Sequence, residues 1–600
     1  MARFHNRPAF TVSRRALLGA AASLPAAAFA ASVPAKGLAG APFERVRPGR
    51  PGWPTQAQWD SLARAVGGRL ISGAPPAIDP AEAPALLSNP FFLGDQPGLT
   101  QSSGWLDAWR SRPSVYAVRA QSAADVAAAV RFAAAHRLRL VVKGGGHSYL
   151  GGSNAPDSLL VWTRGMDAIR IHDTFVPSGC DSEPVPAVSV GAGCIWLRVY
   201  QAVCVGAGRY VQGGGCTTVG VAGLIQGGGF GSFSKGFGLA AASLIEAEIV
   251  TADGRVRTVN ACREPELFWA LKGGGGGTFG IVTRLTLRTH RLPEMFGIVR
   301  LTVQAASDQA YRELLGAFID FCRTKLVNPQ WGEQVRAHPQ NRLIVEMSFQ
   351  GMSAAQAQGV WQPFLDRVAA RANDWAVTQP FLVLDIPGRH LWDSDFLAAH
   401  LPPAIARDPR PGARTADYWW AGDGDQAGAF WSAYTSVWLP APLLSGTGRD
   451  RLVDAWFAAS RHWSVTFHFN KGLAGATPEM LAASRDTAMN PQVLDAFALA
   501  IIAGDGPSAF PGLPGPDLPG ARTAAERIHA ADRALRAAAP GAGSYMSECD
   551  FFLADWQRAS WGPHWPRLDR IKRLYDPDGL FVVHHGVGSE GWSADGFRRP

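Results

Sequence analysis

The chain has 600 residues, 47% hydrophobic and 18% charged, a balance that excludes a disordered or low-complexity protein and leaves room for about two to four domains. Gly 67, Pro 43 and Trp 21 point away from a helical bundle and toward a loop-rich mixed fold. Of the formal charge of +8, four positive charges (Arg3, Arg7, Arg14 and Arg15) sit in the first 30 residues, which carry no acid; no run of like charge follows and only seven residues are lysine, so a nucleic-acid partner is excluded.

Residues 1–30 read as an address. Ser13-Arg14-Arg15-Ala16-Leu17-Leu18 is a twin-arginine pattern, Ala16 to Phe29 is weakly apolar, and Ala28-Phe29-Ala30 is a small-x-small cleavage site, the order expected of a twin-arginine signal peptide. The expected location is therefore exported, periplasmic or secreted. No later stretch approaches about 18 uninterrupted apolar residues, so no membrane span is expected after signal removal. Residues 31–110, rich in Pro, Gly and Trp, read as an arm packed over a core, with one helix near Gln56–Val66.

Regular structure is expected next. Val115-Tyr116-Ala117-Val118 alternates as a strand, Ser122-Ala123-Ala124-Asp125 opens an alanine-rich helix ending near His136, and Leu138–Val142 is a second strand. It runs into Lys143-Gly144-Gly145-Gly146-His147-Ser148. A denser region follows: Gly213-Gly214-Gly215-Cys216-Thr217-Thr218-Val219-Gly220, Gly223, then Gly227-Gly228-Gly229-Phe230-Gly231. Glycine costs backbone entropy, so such density makes sense where main-chain amides must approach a bulky ligand, and a pyrophosphate is the ligand of choice. Apolar neighbours such as Leu244–Val250 argue against a flexible surface tract.

Other motifs can be set aside. The chain has no Gly-Lys dipeptide, so no P-loop; Gly144-Gly145-Gly146-His147-Ser148-Tyr149 lacks the third glycine of a Rossmann fingerprint; HExxH and GxSxG are missing. The cysteines Cys180, Cys194, Cys204, Cys216, Cys262, Cys322 and Cys549 form no CxxC pair, so no metal site is expected. Disulfides are compatible with export, and the odd count leaves at least one thiol for another task.

These glycine segments, followed by Val250-Thr251-Ala252-Asp253-Gly254, Glu266-Leu267-Phe268-Trp269-Ala270-Leu271-Lys272-Gly273-Gly274-Gly275 and Phe279-Gly280-Ile281-Val282-Thr283, resemble in order and spacing the FAD-binding domain of the vanillyl-alcohol oxidase/p-cresol methylhydroxylase (PCMH) superfamily. Ile571–Phe581 is similar to the closing segment of its berberine-bridge-enzyme-like branch. The resemblance implies an α+β protein: a PCMH-type two-subdomain FAD-binding domain (111–290), a substrate domain with an antiparallel sheet covered by helices (291–541), and a C-terminal segment that returns to the flavin (542–600). In the substrate domain Trp463–Phe469 alternates as a strand should. The family pattern implies FAD binding by Gly144, Gly145, Gly146, His147, Ser148, Cys216, Val219, Gly220, Gly223, Gly228 and Ile281, with covalent attachment through both His147 and Cys216. Gly238-Leu239-Ala240-Ala241-Ala242-Ser243 departs from the family's Asp-Asn at that place.

The expected chemistry is hydride transfer from an alcohol or sugar-like hydroxyl to FAD, with O2 as acceptor and H2O2 as product. Where relatives carry a catalytic tyrosine, Tyr545-Met546-Ser547-Glu548-Cys549-Asp550 puts Glu548, which serves as base if burial raises its pKa; an ion pair with an arginine is the plainer role. His468 and Lys471 are rivals if their strand faces the flavin, and His584-His585 reads as a buried hydrogen-bonded pair. The alternatives are a flavin dehydrogenase using a quinone or cytochrome, and a non-catalytic flavin- or carbohydrate-binding protein.

Overall fold

A computed structural model describes residues 43–599, so the expected signal peptide lies outside the described residues. The strand, helix and strand expected around residue 125 are Tyr116–Arg119, Ala123–Ala135 and Arg139–Lys143. The helix starts where the sequence places a cap: the Asp125 N–H donates to the Ser122 hydroxyl at 3.2 Å and the Ser122 N–H donates to the Asp125 carboxylate at 3.1 Å. Its face of Val126, Val130 and Ala133 buries against Val118, Leu140 and Val161. Both strands run parallel to Ser158–Trp162 between them, and Leu70–Ser72 completes this four-stranded sheet. The first glycine cluster thus emerges from the carboxyl end of a parallel strand, a usual place for a ligand loop.

A five-stranded antiparallel sheet follows, in the order Val256–Asn260, Leu244–Val250, Ile281–Arg288, Val185–Gly191 and Ile169–Phe175. A disulfide, Cys180–Cys262, ties the loop after one edge strand to the turn after the other. Cys194, Cys204, Cys322 and Cys549 are free and buried; Cys216 is free and partly accessible.

The third sheet has nine strands: Trp375–Pro387, Met295–Ala305, Arg342–Gln350, Trp331–His338, Val465–His468, Ala496–Gly506, Ala429–Pro440, Ser102–Trp105 and Trp109–Arg110. Helices Asp308–Lys325, Ala354–Ala369, Gly446–His462 and Leu518–Arg536 cover one face. The strand period of two decides which side chains they meet: Val465 and Phe467 are buried in that core, Phe467 stacked on Trp456 at 4.1 Å, while Thr466 and His468 point to the other side.

Residues 43–110, expected as part of an arm packed over a core, also supply strands to two of the sheets. Helix Gln56–Ala65 is present, but Leu70–Ser72 lies in the first sheet, and Ser102–Trp105 and Trp109–Arg110 lie in the third. Such short edge strands carry too few residues to show alternation. The C-terminal segment returns to the first sheet, where Phe581 bridges Leu140. Buried Lys572 holds that turn, donating to the carbonyls of Thr278 and Phe581, both at 2.7 Å, and pairing with Asp576 at 2.5 Å. Phe43–Glu44 pairs with Arg598–Arg599, with Arg47 over the Phe597 ring at 3.6 Å. No helix among the described residues is long and apolar enough to cross a membrane.

The disulfide spans 82 residues. Replacing Cys180 and Cys262 by serine should destabilise the antiparallel lobe by about 2–4 kcal/mol, read as a lower urea midpoint that dithiothreitol reproduces in the unsubstituted protein.

Candidate functional site

The two glycine regions meet. A Cβ at Gly145 would lie 2.6 Å from the Gly220 nitrogen and 2.8 Å from the Thr218 carbonyl oxygen, and one at Gly220 would lie 2.7 Å from the Gly145 nitrogen. Neither position can carry a side chain unless backbone moves. His147 Nε2 and Thr218 Oγ1 are 3.0 Å apart and join the same loops. His147 and Cys216 are thereby brought onto adjoining loops.

The remaining cradle has openings and spare donors. At Gly215 and Gly223 an added Cβ meets no heavy atom within 4 Å. The main-chain N–H groups of Gly145, Gly146, His147 and Ser148 find no acceptor among the described residues. Thr217 Oγ1 and Gln226 Oε1 are buried without a partner. An extended polar ligand with phosphate and ring edges fits these groups.

Other expected contacts have local explanations. Ser148 Oγ accepts the Gly152 N–H at 3.0 Å. Gly144 packs against the Ala192 carbonyl, which a Cβ would approach to 3.3 Å, and the Val219 carbonyl accepts the Trp196 N–H at 3.0 Å. Gly228 has φ +94° and no room for a Cβ beside Met489, and Ile281 is buried with Val250 and Leu140 in the apolar core. The role of Lys143 has no signature in the sequence: its buried ammonium, pushed down to about 7 by desolvation, donates to the carbonyls of Pro97 and Leu99 at 2.8 and 2.7 Å and fixes the loop before the first glycines.

Beside this cradle lies a cavity of about 760 Å³ lined by Tyr149, Glu333, Asp423, Trp431, Tyr434 and His468, among others. Tyr149 packs on Trp431 and Tyr434, with ring centroids 4.6 and 5.2 Å apart. Glu548 pairs with a lysine, not an arginine: Lys471 Nζ donates to its two carboxylate oxygens at 2.6 and 2.7 Å, so two of the three catalytic candidates form one unit. Burial raises the Tyr149 and Tyr434 phenols well above their ordinary range, and the charge of Glu548 adds to the effect. His468 is held well below the usual imidazole range by burial and by Lys471 and Arg336, so it is neutral at physiological pH. His147 is likewise pushed down to about 4 by burial.

Asp423 and Glu333 have no signature in the sequence. Asp423 belongs to the turn Ala421–Gln426, which Trp420 pins over the loop through a hydrogen bond from Nε1 to the Gly215 carbonyl at 3.1 Å. Glu333 sits at φ +64° within strand Trp331–His338, a costly conformation for a non-glycine residue that cavities and active sites commonly hold. Burial raises both carboxyls. His584 stacks on Phe551 at 3.7 Å and hydrogen-bonds its carbonyl at 2.7 Å.

Comparison with known proteins places this cradle. Residues 114–260 match the family model described as FAD binding domain, and residues 544–588 match the one described as berberine and berberine like. FAD-linked oxidoreductase malF of Malbranchea aurantiaca is 30% identical, over 91% of this chain and 92% of that protein. The chain belongs to the vanillyl-alcohol oxidase/PCMH flavoproteins, berberine-bridge-like branch. It is an FAD-linked oxidoreductase. VAO-type flavoprotein oxidase VAO615 of Thermothelomyces thermophilus is 28% identical over 92% of this flavoprotein and 94% of its own length. The crystal structure of MtVAO615 from Myceliophthora thermophila C1 superposes with a TM-score of 0.75 at 26% identity, covering 92% of this chain and 99% of that one. The fold is also that of a glucooligosaccharide oxidase from Acremonium strictum that carries a 6-S-cysteinyl, 8α-N1-histidyl FAD (TM-score 0.59, 20% identity, 79% and 92% covered).

Two outcomes test the site. Gly223→Ala replaces a glycine in helix Val221–Gln226, so the apo-protein should keep or slightly raise its melting temperature, by up to about 1 kcal/mol of helix propensity. Its ratio of flavin to protein absorbance should nevertheless fall several-fold. Separately, burial pushes His290 down to about 4 and His585 down to about 3. Above pH 6.5 both are neutral folded or unfolded; below it only the unfolded chain takes up their protons, so stability should fall steadily from pH 6.5 to about 4. Urea midpoints across that range should show this slope, reduced in His290→Gln.

Proposed function

We propose that this oxidoreductase is an exported oxidase that takes a hydride from an alcohol or a sugar-like hydroxyl and passes the electrons to O2, forming H2O2, with FAD attached covalently through His147 and Cys216. The observation that carries the reading is the junction of the two glycine loops, which puts a neutral imidazole and a partly accessible thiol on one cradle although 69 residues separate them in sequence. The cysteinyl and histidyl links named for the Acremonium oxidase support it. The twin-arginine pattern and the Cys180–Cys262 disulfide support export.

FAD, when bound, supplies the hydride acceptor. The loops of Gly144–Ser148 and Cys216–Gly223 would hold it. Glu548 removes the substrate hydroxyl proton, and Lys471 holds its carboxylate aligned for that transfer. Neutral His468 orients the substrate from the sheet side of the cavity. Tyr149, Trp431 and Tyr434 offer apolar faces with polar edges, suited to stacking on a sugar ring or a flat alcohol.

Acid precipitation with intact-mass measurement tests attachment: a yellow pellet and an FAD-sized increment are expected, retained in both His147→Ala and Cys216→Ala. Flavin released wholly into the supernatant would overturn the covalent reading. Anaerobic mixing with candidate alcohols and oligosaccharides should bleach the flavin, and oxygen should restore it with stoichiometric H2O2; recovery only with a quinone or cytochrome would make the protein a dehydrogenase. Glu548→Gln should keep its flavin and slow bleaching about 10²–10⁴-fold, the usual worth of a general base. An unchanged rate would remove Glu548 from that role.

A further inference from the structure

The Cys216 thiol needs a proton acceptor before it can bond to carbon. Burial keeps it protonated, since its ionisation is pushed far above the ordinary range, first by desolvation and then by the carboxyl of Asp423. The nucleophile is the thiolate, so the site must remove that proton locally. Of the other charged groups that act on the thiol, Lys471 is engaged in donating to Glu548, and Glu333 has a smaller effect on it than Asp423 does.

Asp423 is different on two counts. Its turn is anchored by Trp420 to Gly215, the residue just before the cysteine, and its carboxyl lines the cavity close enough to Cys216 to push the thiol's ionisation up. Its buried Oδ2 has no hydrogen-bond partner among the described residues. Asp408 is paired with Arg410, and Asp417, which also leaves one buried oxygen without a partner, is paired through the other with Arg198, whereas no salt bridge reaches Asp423 among the described residues. A buried, unpaired carboxyl costs stability, so its retention here calls for a task.

We propose that Asp423 is the base that activates Cys216 for its bond to the flavin ring, an inference that rests on the reading of Cys216 as an attachment residue. The S–H bond breaks and its proton goes to the Asp423 carboxylate. The thiolate sulfur forms the S–C bond, the ring carbon gives up its hydrogen as a proton, and the two electrons left in the ring are removed by the O2 that the oxidase uses in turnover. One thiol, one C–H and one O2 become one thioether and one H2O2, the two released protons ending on the peroxide. Asp423 remains free to return its proton to solvent and is not consumed.

The test reads the link and not the activity. Holoenzyme is purified, denatured with iodoacetamide and digested, and the Cys216 peptide is quantified as flavin thioether or as alkylated free thiol, with the His147 peptide as internal control. Wild type is expected almost wholly as thioether. D423N should show at least a tenfold lower thioether fraction with the His147 link intact, and D423E should recover to within threefold of wild type. A wild-type thioether fraction in D423N overturns the role of Asp423 alone. A wild type with no thioether overturns both this role and the reading beneath it. Loss of all flavin from both D423N and D423E also overturns it, since Asp423 would then be a structural support.

Discussion

Everything functional in this flavoprotein depends on a backbone-to-backbone approach that side chains would forbid. Gly145 and Gly220 touch through their main chains, one at the end of a parallel strand and the other beside the antiparallel lobe. The contact joins two sheets of different topology at one point. It also leaves amides of the first loop unpaired and directed away from any ladder. The entropic cost of so many glycines is offset by a surface of donors that no side-chain-bearing sequence could assemble at that spacing.

The opposite wall is built on a different rule. The nine-stranded sheet spends one face on four helices, whose contacts with Phe467, Val465 and their neighbours supply a dry core. The alternate residues are released to the cavity, and so His468 faces inward without any special backbone feature. Lys471 follows in the next turn and meets Glu548 from the C-terminal segment. That single ion pair, with side chains 15% and 16% exposed, ties the sheet to the segment that returns to the first lobe. Because both groups are largely out of solvent, removing either partner would leave the other charge uncompensated, so the pair is kept together as a unit.

The legible parts of the chain are those in which one residue type has one physical use. Glycine clusters, the Ser122–Asp125 cap and the alternation of Trp463–Phe469 each report local geometry directly, and His147 and Cys216 were picked out by the family resemblance, at places inside such clusters. Asp423 and Glu333 were not. An aspartate in Ala-Gly-Asp-Gly-Asp reads as an ordinary solvated turn, and nothing in Trp-Gly-Glu-Gln predicts that the glutamate will take a left-handed conformation. The edge strands of residues 43–110 escaped for a third reason, since two to four residues are too few for a period. The pairing of Cys180 with Cys262 depended on which sheet edges would curl toward one another, a tertiary property.

The strand near the start of the described chain has a consequence for how the molecule is made. Glu44 is bonded to Arg598, its partner 554 residues away. Local units such as the capped helix can form while the ribosome is still working, but this closure waits for the last residues to emerge. The two-stranded pairing of Phe43–Glu44 with Arg598–Arg599 is thus a contact of very high sequence separation, of the kind that closes late in folding. The same adjacency makes the fold a closed circuit in space. A short linker from Arg599 to Phe43, with new ends cut in an exposed loop such as that at Gly412, would give a circular permutant of the described residues with every sheet preserved.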